Sequence, residues 1–247
     1  MDASLDGVPR RVFCASMADV FEVLRDDHAD SDTMDSARRL LWQVIETTPW
    51  LEWMLLTKRP ENIMKLVPPE WGLRWPVNVW PGVTVEDQER AEERLVHLAE
   101  IPARVRFLSM EPLLGAVNLR CVRCRFRSGV RYVDALTGNV AVSAEECEGL
   151  PFMSPKLLRV VDWVICGGES GPRARPSDPD WFRMVRGQCV NARIPFFFKQ
   201  WGEWGPGDPA GIVRIGKEKA GRLLDGRTWD EFPVVRQTRP VYDAGRQ

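Results

Sequence analysis

The chain has 247 residues, 44% of them hydrophobic, and its 34 basic and 35 acidic side chains leave a formal net charge of -1. That length fits one barrel-sized domain with a large core, while eleven Trp and ten Phe exclude a disordered chain, which lacks the aromatics a core requires. Near-neutrality leaves no broad electrostatic footprint for nucleic acid, only room for a local basic patch.

No apolar run approaches the roughly 20 residues that span a bilayer, and the opening MDASLDGVPRR lacks the apolar stretch of a signal peptide. A cytoplasmic protein without membrane contact is the expectation. Six Cys in a domain this large are read as reduced thiols rather than as a secreted disulfide framework.

Six stretches run from an apolar, strand-like segment into polar or glycine residues: RRVFCASMAD, WMLLTKRPEN, VNVWPGVTVED, RVRFLSMEPLLG, VDWVICGGESGP and IPFFFKQWGEW. A parallel β/α barrel has this layout, because buried strand bodies build the core and the residues past each C-terminal end line a common site. The expected fold is therefore α/β, with Ser16, Thr57, Thr84, Ser109, Gly167 and Lys199 as strand tips.

In chain order, SDTMDSARRLLWQVIETTP follows the first strand as a helix capped by Ser31 or Asp32, with Met34, Ala37, Leu41, Val44 and Ile45 at helical spacing before Pro49. After LTKRP a short helix spans roughly 61–66, and PPEWGLRWP reads as a loop. VEDQERAEERLVHLAEIP opens with acids suited to the positive end of a helix dipole and places Ala91, Leu95 and Leu98 on one face. SDPDWFRMVRGQCVNARIP offers Ser177 or Asp178 as cap, with Trp181, Phe182, Val185 and Cys189 inward. Past Trp204, an extension over about 205–247 carries one hairpin-like stretch, IVRIGKEKAGRLLDG, with Asp225-Gly226 as a turn.

The 58 residues from Ser109 to Gly167 exceed the roughly 30 of one β-plus-α unit, which locates an insertion over about 120–158 within a single 1–247 domain. Cys121 and Cys124 have the spacing of a zinc knuckle, and Cys147 lies 23 positions further on. A structural zinc site takes four ligands, and the insertion holds no fourth Cys and no His. The ligand count favours a plain β-hairpin or a decayed knuckle over a zinc hairpin completed by Glu145 or by another chain.

LTKRPEN, NVWPGVTVEDQERAEER, RFLSMEPLLG, DWVICGGESGPRARP, PFFFKQWGEW and GRLLDGRTWDEFP together resemble the phage and prophage family named after the gene products thirty-seven and sixty-eight, a radical-SAM-like domain of unknown function. The likeness runs in order from Arg11 to Pro233. It implies a radical-SAM-type barrel related to the TIM barrel, usually of six strands or more, and a bacterial host cytoplasm if the gene is phage-borne. Relatives carry an additional leading segment with three clustered Cys for an iron–sulfur cluster, whose open iron binds S-adenosylmethionine. This sequence begins after that segment and Cys14 stands alone, so the barrel is expected to be incomplete, open on the side of 11–15, and without its own cluster.

The strand tips supply the candidate site. Glu111, aimed by the following Pro112, and Lys199 after three Phe are the catalytic candidates. Gly167, Gly168, Glu169 and Ser170 resemble the Gly-Gly-Glu segment with which radical-SAM enzymes hold the methionine amine, with a tight strand-to-helix turn as the alternative. Lys58, Arg59, Thr84 and Gln200 are candidate substrate contacts; Ser16 with Asp19, and Glu86 with Asp87, are weaker ones. Mixed charge suits a zwitterionic or phosphate-bearing ligand, a small molecule or nucleotide, at the barrel mouth. Two functions stay open: the barrel portion of an enzyme acting on an unknown substrate, nucleic acid or nucleotide among the options, or a non-catalytic binding protein with a second chain at its open edge.

Overall fold

The computed structural model of the chain describes residues 10–14, 18–24, 28, 30–126, 129–144, 159–207 and 211–234. Its centre is a six-stranded, wholly parallel sheet curled into a half-barrel. The strands are β1 (Arg10–Cys14), β2 (Leu51–Thr57), β3 (Val79–Thr84), β4 (Phe107–Met110), β8 (Trp163–Gly167) and β9 (Phe196–Gln200), and they lie side by side in chain order. Thr57, Thr84, Ser109, Gly167 and Lys199 thus share one C-terminal edge, with Thr84 opposite Ser109 and Gly167 opposite Gln200. Ser16 lies outside the described residues.

Strand alternation sorts the two faces of the sheet. Leu55, Val79, Val83, Leu108, Val164, Phe196 and Phe198 join the large core under the helices. Met54, Trp80, Phe107, Trp163 and Ile165 form a second, smaller cluster on the concave side. Gly82 belongs to that side because a Cβ there would stand 2.3 Å from the Phe107 ring.

The convex face is covered by α1 (Ser31–Thr47), α3 (Gln88–Ala99) and α4 (Pro179–Ala192), with a single-turn α2 (Ile63–Leu66) between the first two. Asp87 caps α3 by accepting from Arg90 N at 2.9 Å, and Ala91, Leu95 and Leu98 are buried, as their spacing predicts. Asp178, not Ser177, caps α4; Ser177 instead donates to the Leu113 carbonyl at 2.6 Å, tying α4 to the β4 exit.

The expectation for α1 needs correction. Its cap residue is Asp30, which makes no side-chain capping bond, and its buried residues are Arg38, Trp42 and Ile45, whereas Ala37 and Val44 are exposed. Arg38 goes inward because its guanidinium finds carbonyls there, Val20 at 2.9 Å and Glu22 at 2.8 Å, which offsets the cost of burying a charge. The PPEWGLRWP loop also contributes to the core: Trp71 and Trp75 are buried beside Trp42 in edge-on contacts.

The insertion is an antiparallel sheet of β5 (Val122–Phe126), β6 (Gly129–Val133) and β7 (Val140–Ala141). Val122, Cys124 and Val133 face Leu95, Val96 and Ala99 of α3. In the extension, the hairpin pairs β10 (Trp204–Gly207) with β11 (Gly211–Arg214), upstream of where the sequence pattern puts it. The IVRIGKEKAGRLLDG stretch instead contains a short α5 (Lys217–Ala220), and Asp225-Gly226 does form a turn, both residues at positive φ.

The chain then returns along β9. Phe198 N donates to the Trp229 carbonyl at 2.9 Å, and Glu231 N donates to the Phe196 carbonyl at 3.2 Å. Phe232 packs on Trp163 and Phe197 and beneath the Arg11 guanidinium, 4.5 Å from the ring centroid. An aromatic from the far end of the sheet therefore meets β1 across the concave side.

Candidate functional site

Continued past the strand ends, the concave-face alternation carries Lys58, Thr84, Glu86, Ser109, Glu111, Gly167, Glu169 and Lys199 toward one rim. Three ion-pair groups occupy it.

The first lies over β2 and β3. Glu86, buried, accepts from Lys58 Nζ at 2.9 Å and from Arg94 Nη1 at 2.7 Å. Burial alone would raise its pKa, but the Lys58 hydrogen bond and the Arg94 charge hold it below the usual carboxylate range. Arg94 also donates to the Thr84 carbonyl at 2.7 Å, so α3 braces the tip of β3. Next to it Asp19 accepts from Thr57 Oγ1 at 2.7 Å, from Lys58 N at 3.0 Å and from Arg59 Nη1 at 3.2 Å. Arg59 reaches on to Glu22 at 2.7 Å. Lys58 and Arg59, candidate substrate contacts in the sequence, thus each hold a carboxylate of the chain itself.

The second group joins β4, β8 and β9. Glu111 follows β4 directly, with a cis bond to Pro112. Its Oε2 accepts from Lys199 Nζ at 2.9 Å and its Oε1 from Gln200 Nε2 at 2.7 Å. Gln200 Nε2 also donates to Ser170 Oγ at 3.0 Å. Two consecutive residues reach one carboxylate because the β8–β9 register shifts at Cys166/Gly167; a bulge aims neighbouring side chains at the same side. Gly167 leaves the room Glu111 occupies, since a Cβ would stand 3.1 Å from the Glu111 carboxyl carbon.

The third group is Glu169 with Arg175. The carboxylate accepts from Arg175 N at 2.7 Å, Nε at 2.8 Å and Nη2 at 2.8 Å. These bonds lower its pKa to about 2, with the Lys58 charge adding to the effect. Glu86 acts in turn on Arg175, so the first and third groups share one electrostatic neighbourhood. Gly168 has a packing role: a Cβ would fall 1.8 Å from the Trp201 carbonyl oxygen, and one on Gly202, at φ 80°, would fall 2.2 Å from the Glu169 carbonyl oxygen. The exits of β8 and β9 interlock there.

Sequence reading did not weigh Arg94 and Arg175. Arg94 sits in a helix among other charges and resembles a solvated residue; only its place on the face turned toward the β3 tip distinguishes it. Arg175 follows Glu169 by six residues in a loop, a spacing with no periodic meaning.

The cysteines are not gathered. Cys124 is buried against α3, and burial pushes its thiol up to about 12; Cys147 and Glu145 lie outside the described residues. Cys166, one residue before the end of β8, lies on the helix side with its pKa well above the ordinary value, again through burial, and burial raises that of Cys14. Among the described residues, no three His, Cys, Asp or Glu converge as metal ligands, and no helix is long and apolar enough to cross a membrane.

Fold and rim together define an α/β protein whose open parallel half-barrel carries a belt of paired charges at its C-terminal edge. The chain belongs to the family described as Protein of unknown function (DUF5131), which matches residues 4–233. No curated protein and no solved structure matches it.

Proposed function

We propose that the protein is the barrel portion of a radical-SAM-type enzyme, of the phage and prophage kind its motif order resembles, and that its rim binds a small ligand carrying both signs of charge. The observation that carries this reading is the Glu111–Lys199–Gln200–Ser170 group: two ionised side chains 2.9 Å apart, with Lys199 53% exposed, at the edge where parallel β/α folds hold their ligands. A zwitterion can exchange with that pair, its anionic part on Lys199 and its amine or hydroxyls on Glu111. A substrate proton can pass to the carboxylate or come from the ammonium at the same place.

The described residues do not fit an iron–sulfur cluster, which requires closely placed thiolates; Cys14 and Cys166 lie on strands separated by three others, and Cys166 is wholly buried. No step is therefore assigned to a cluster held by these residues. The alternative, a binding protein without catalysis, is favoured by one feature: the rim charges Lys58, Arg59, Glu86, Glu111, Glu169 and Lys199 each have a counter-charge within the chain.

Calorimetric titration with S-adenosylmethionine, methionine and ATP tests the ligand class. At least one should bind, and Lys199→Met and Glu111→Gln should each weaken it about tenfold or more, the usual cost of leaving one member of a charged pair unmatched. No heat with any of the three sinks the reading. Binding without turnover of a bound ligand selects the non-catalytic form.

A further inference from the structure

From Pro112 to Val133 the chain has five arginines and no acidic residue, in a protein whose overall charge is close to zero. The inserted sheet gives that imbalance a direction. Val122, Cys124 and Val133 turn inward onto α3, so alternation places Arg123 and Arg125 on the opposite, outward face. Both are exposed, and neither side chain has a hydrogen bond or ion pair among the described residues. The rim cations, by contrast, all hold carboxylates.

Register adds an aromatic. Arg123 stands directly opposite Tyr132, and Arg125 opposite Val130, so Tyr132, half-buried, shares the outward face with the two arginines. Residues two apart on one strand are separated by about 7 Å, of the order of the step between successive phosphates of an extended nucleic-acid strand. A guanidinium pair at that pitch beside an aromatic ring combines backbone neutralisation with a stacking platform. A duplex keeps its bases stacked on one another and offers the ring nothing.

We infer that the outward face of the β5–β6 ribbon binds single-stranded nucleic acid, with Arg123 and Arg125 on consecutive phosphates and Tyr132 against a base. This surface is separate from the rim and does not depend on the function proposed for it.

The test is fluorescence anisotropy of the full chain with a labelled oligothymidylate, an oligouridylate of the same length and a DNA duplex, over a range of salt. Single strands should bind more tightly than the duplex, with affinity falling as salt rises. The Arg123→Glu/Arg125→Glu variant should lose about tenfold or more and flatten the salt slope by about two counter-ions. Tyr132→Ala should lose about fivefold with the slope unchanged, as loss of one stacked base does. Arg39→Glu/Arg74→Glu, with the same change of net charge on exposed positions elsewhere, should bind like the parent, and so should Lys199→Met at the rim. Equal binding of duplex and single strand, indifference to Tyr132→Ala, an equal loss in the Arg39/Arg74 control, or displacement by polyglutamate as readily as by oligonucleotide would each overturn the inference. Arg123 and Arg125 are exposed and Tyr132 is half-buried, and a thermal melt of each variant confirms that it is folded.

Discussion

The two faces of the sheet are made from the same strands yet do opposite things. The convex face is largely apolar and carries Leu55, Leu108, Val164, Phe196 and Phe198 into the helices. The concave face begins with a small aromatic cluster and finishes in carboxylates, lysines and arginines. Apolar packing and the charged rim thereby fall on alternate residues of each strand, so a one-residue shift of register would exchange them.

Substitution on the two faces should separate these roles. On the convex side, Phe198 stacks edge-on with Phe182 and Trp201 at about 5 Å; Phe198→Ala should cost about 3–5 kcal/mol in urea unfolding through the cavity it leaves. Gly168→Ala tests the boundary between the faces. Because the obstructing atom is a backbone carbonyl 1.8 Å away, β8 and β9 must separate, at about 3 kcal/mol. A change below 1 kcal/mol would mean that the two exits are not locked together.

Cys124→Ser asks whether the inserted sheet shares the convex core. It puts a hydroxyl where a thiol packs on α3 and should cost about 1–2 kcal/mol, with zinc content equal in parent and variant. Loss of a full equivalent of zinc together with stability would instead make the knuckle a genuine metal site. On the concave rim, Glu111→Gln should move unfolding stability by less than about 1 kcal/mol, because its ion-pair partner is half in solvent, while the proposed ligand binding should weaken about tenfold or more.

The smallest effect concerns pH. The Glu169 carboxyl is held down to about 2 by Arg175, and a depressed carboxylate stabilises the fold above its unfolded pKa of about 4.3 and loses that contribution as pH falls toward 2. Parent and Arg175→Ala should therefore differ in Tm by at most a few degrees at pH 6 and converge near pH 2; Arg175 is mostly exposed, which keeps the difference small. A gap that widens on acidification would refute the assignment.

Strand tips were legible in the sequence because a parallel strand is a short apolar run with an abrupt polar end, and both signals are local. Glu111 and Lys199 could be picked out individually for the same reason. Their meeting, and the recruitment of Gln200, depended on a register shift between β8 and β9 that no local pattern encodes. The inward face of α1 differs from its apolar spacing because that spacing cannot announce Arg38, whose partners are Asp35 and two carbonyls of a loop 16 to 18 residues earlier. The misplaced hairpin has a similar origin: WGPG has little strand character by itself and takes it from pairing with GIVR. Gly168 could be read either as a ligand-cradling glycine or as part of a tight strand-to-helix turn, and its bare Cα faces the Trp201 backbone.

The return of Trp229–Glu231 along β9 also sets where the chain can be cut. Those few residues are the outer border of the sheet: they take up the main-chain groups of Phe196 and Phe198, and Glu231 further receives the Trp163 indole N–H at 2.9 Å. Removal of everything after Pro233 leaves this border in place, and such a fragment should express as a well-behaved monomer or native assembly. A stop codon after Arg227 uncovers a strand edge flanked by Phe197 and Trp163, and the shorter product should be recovered in inclusion bodies or trimmed by host proteases.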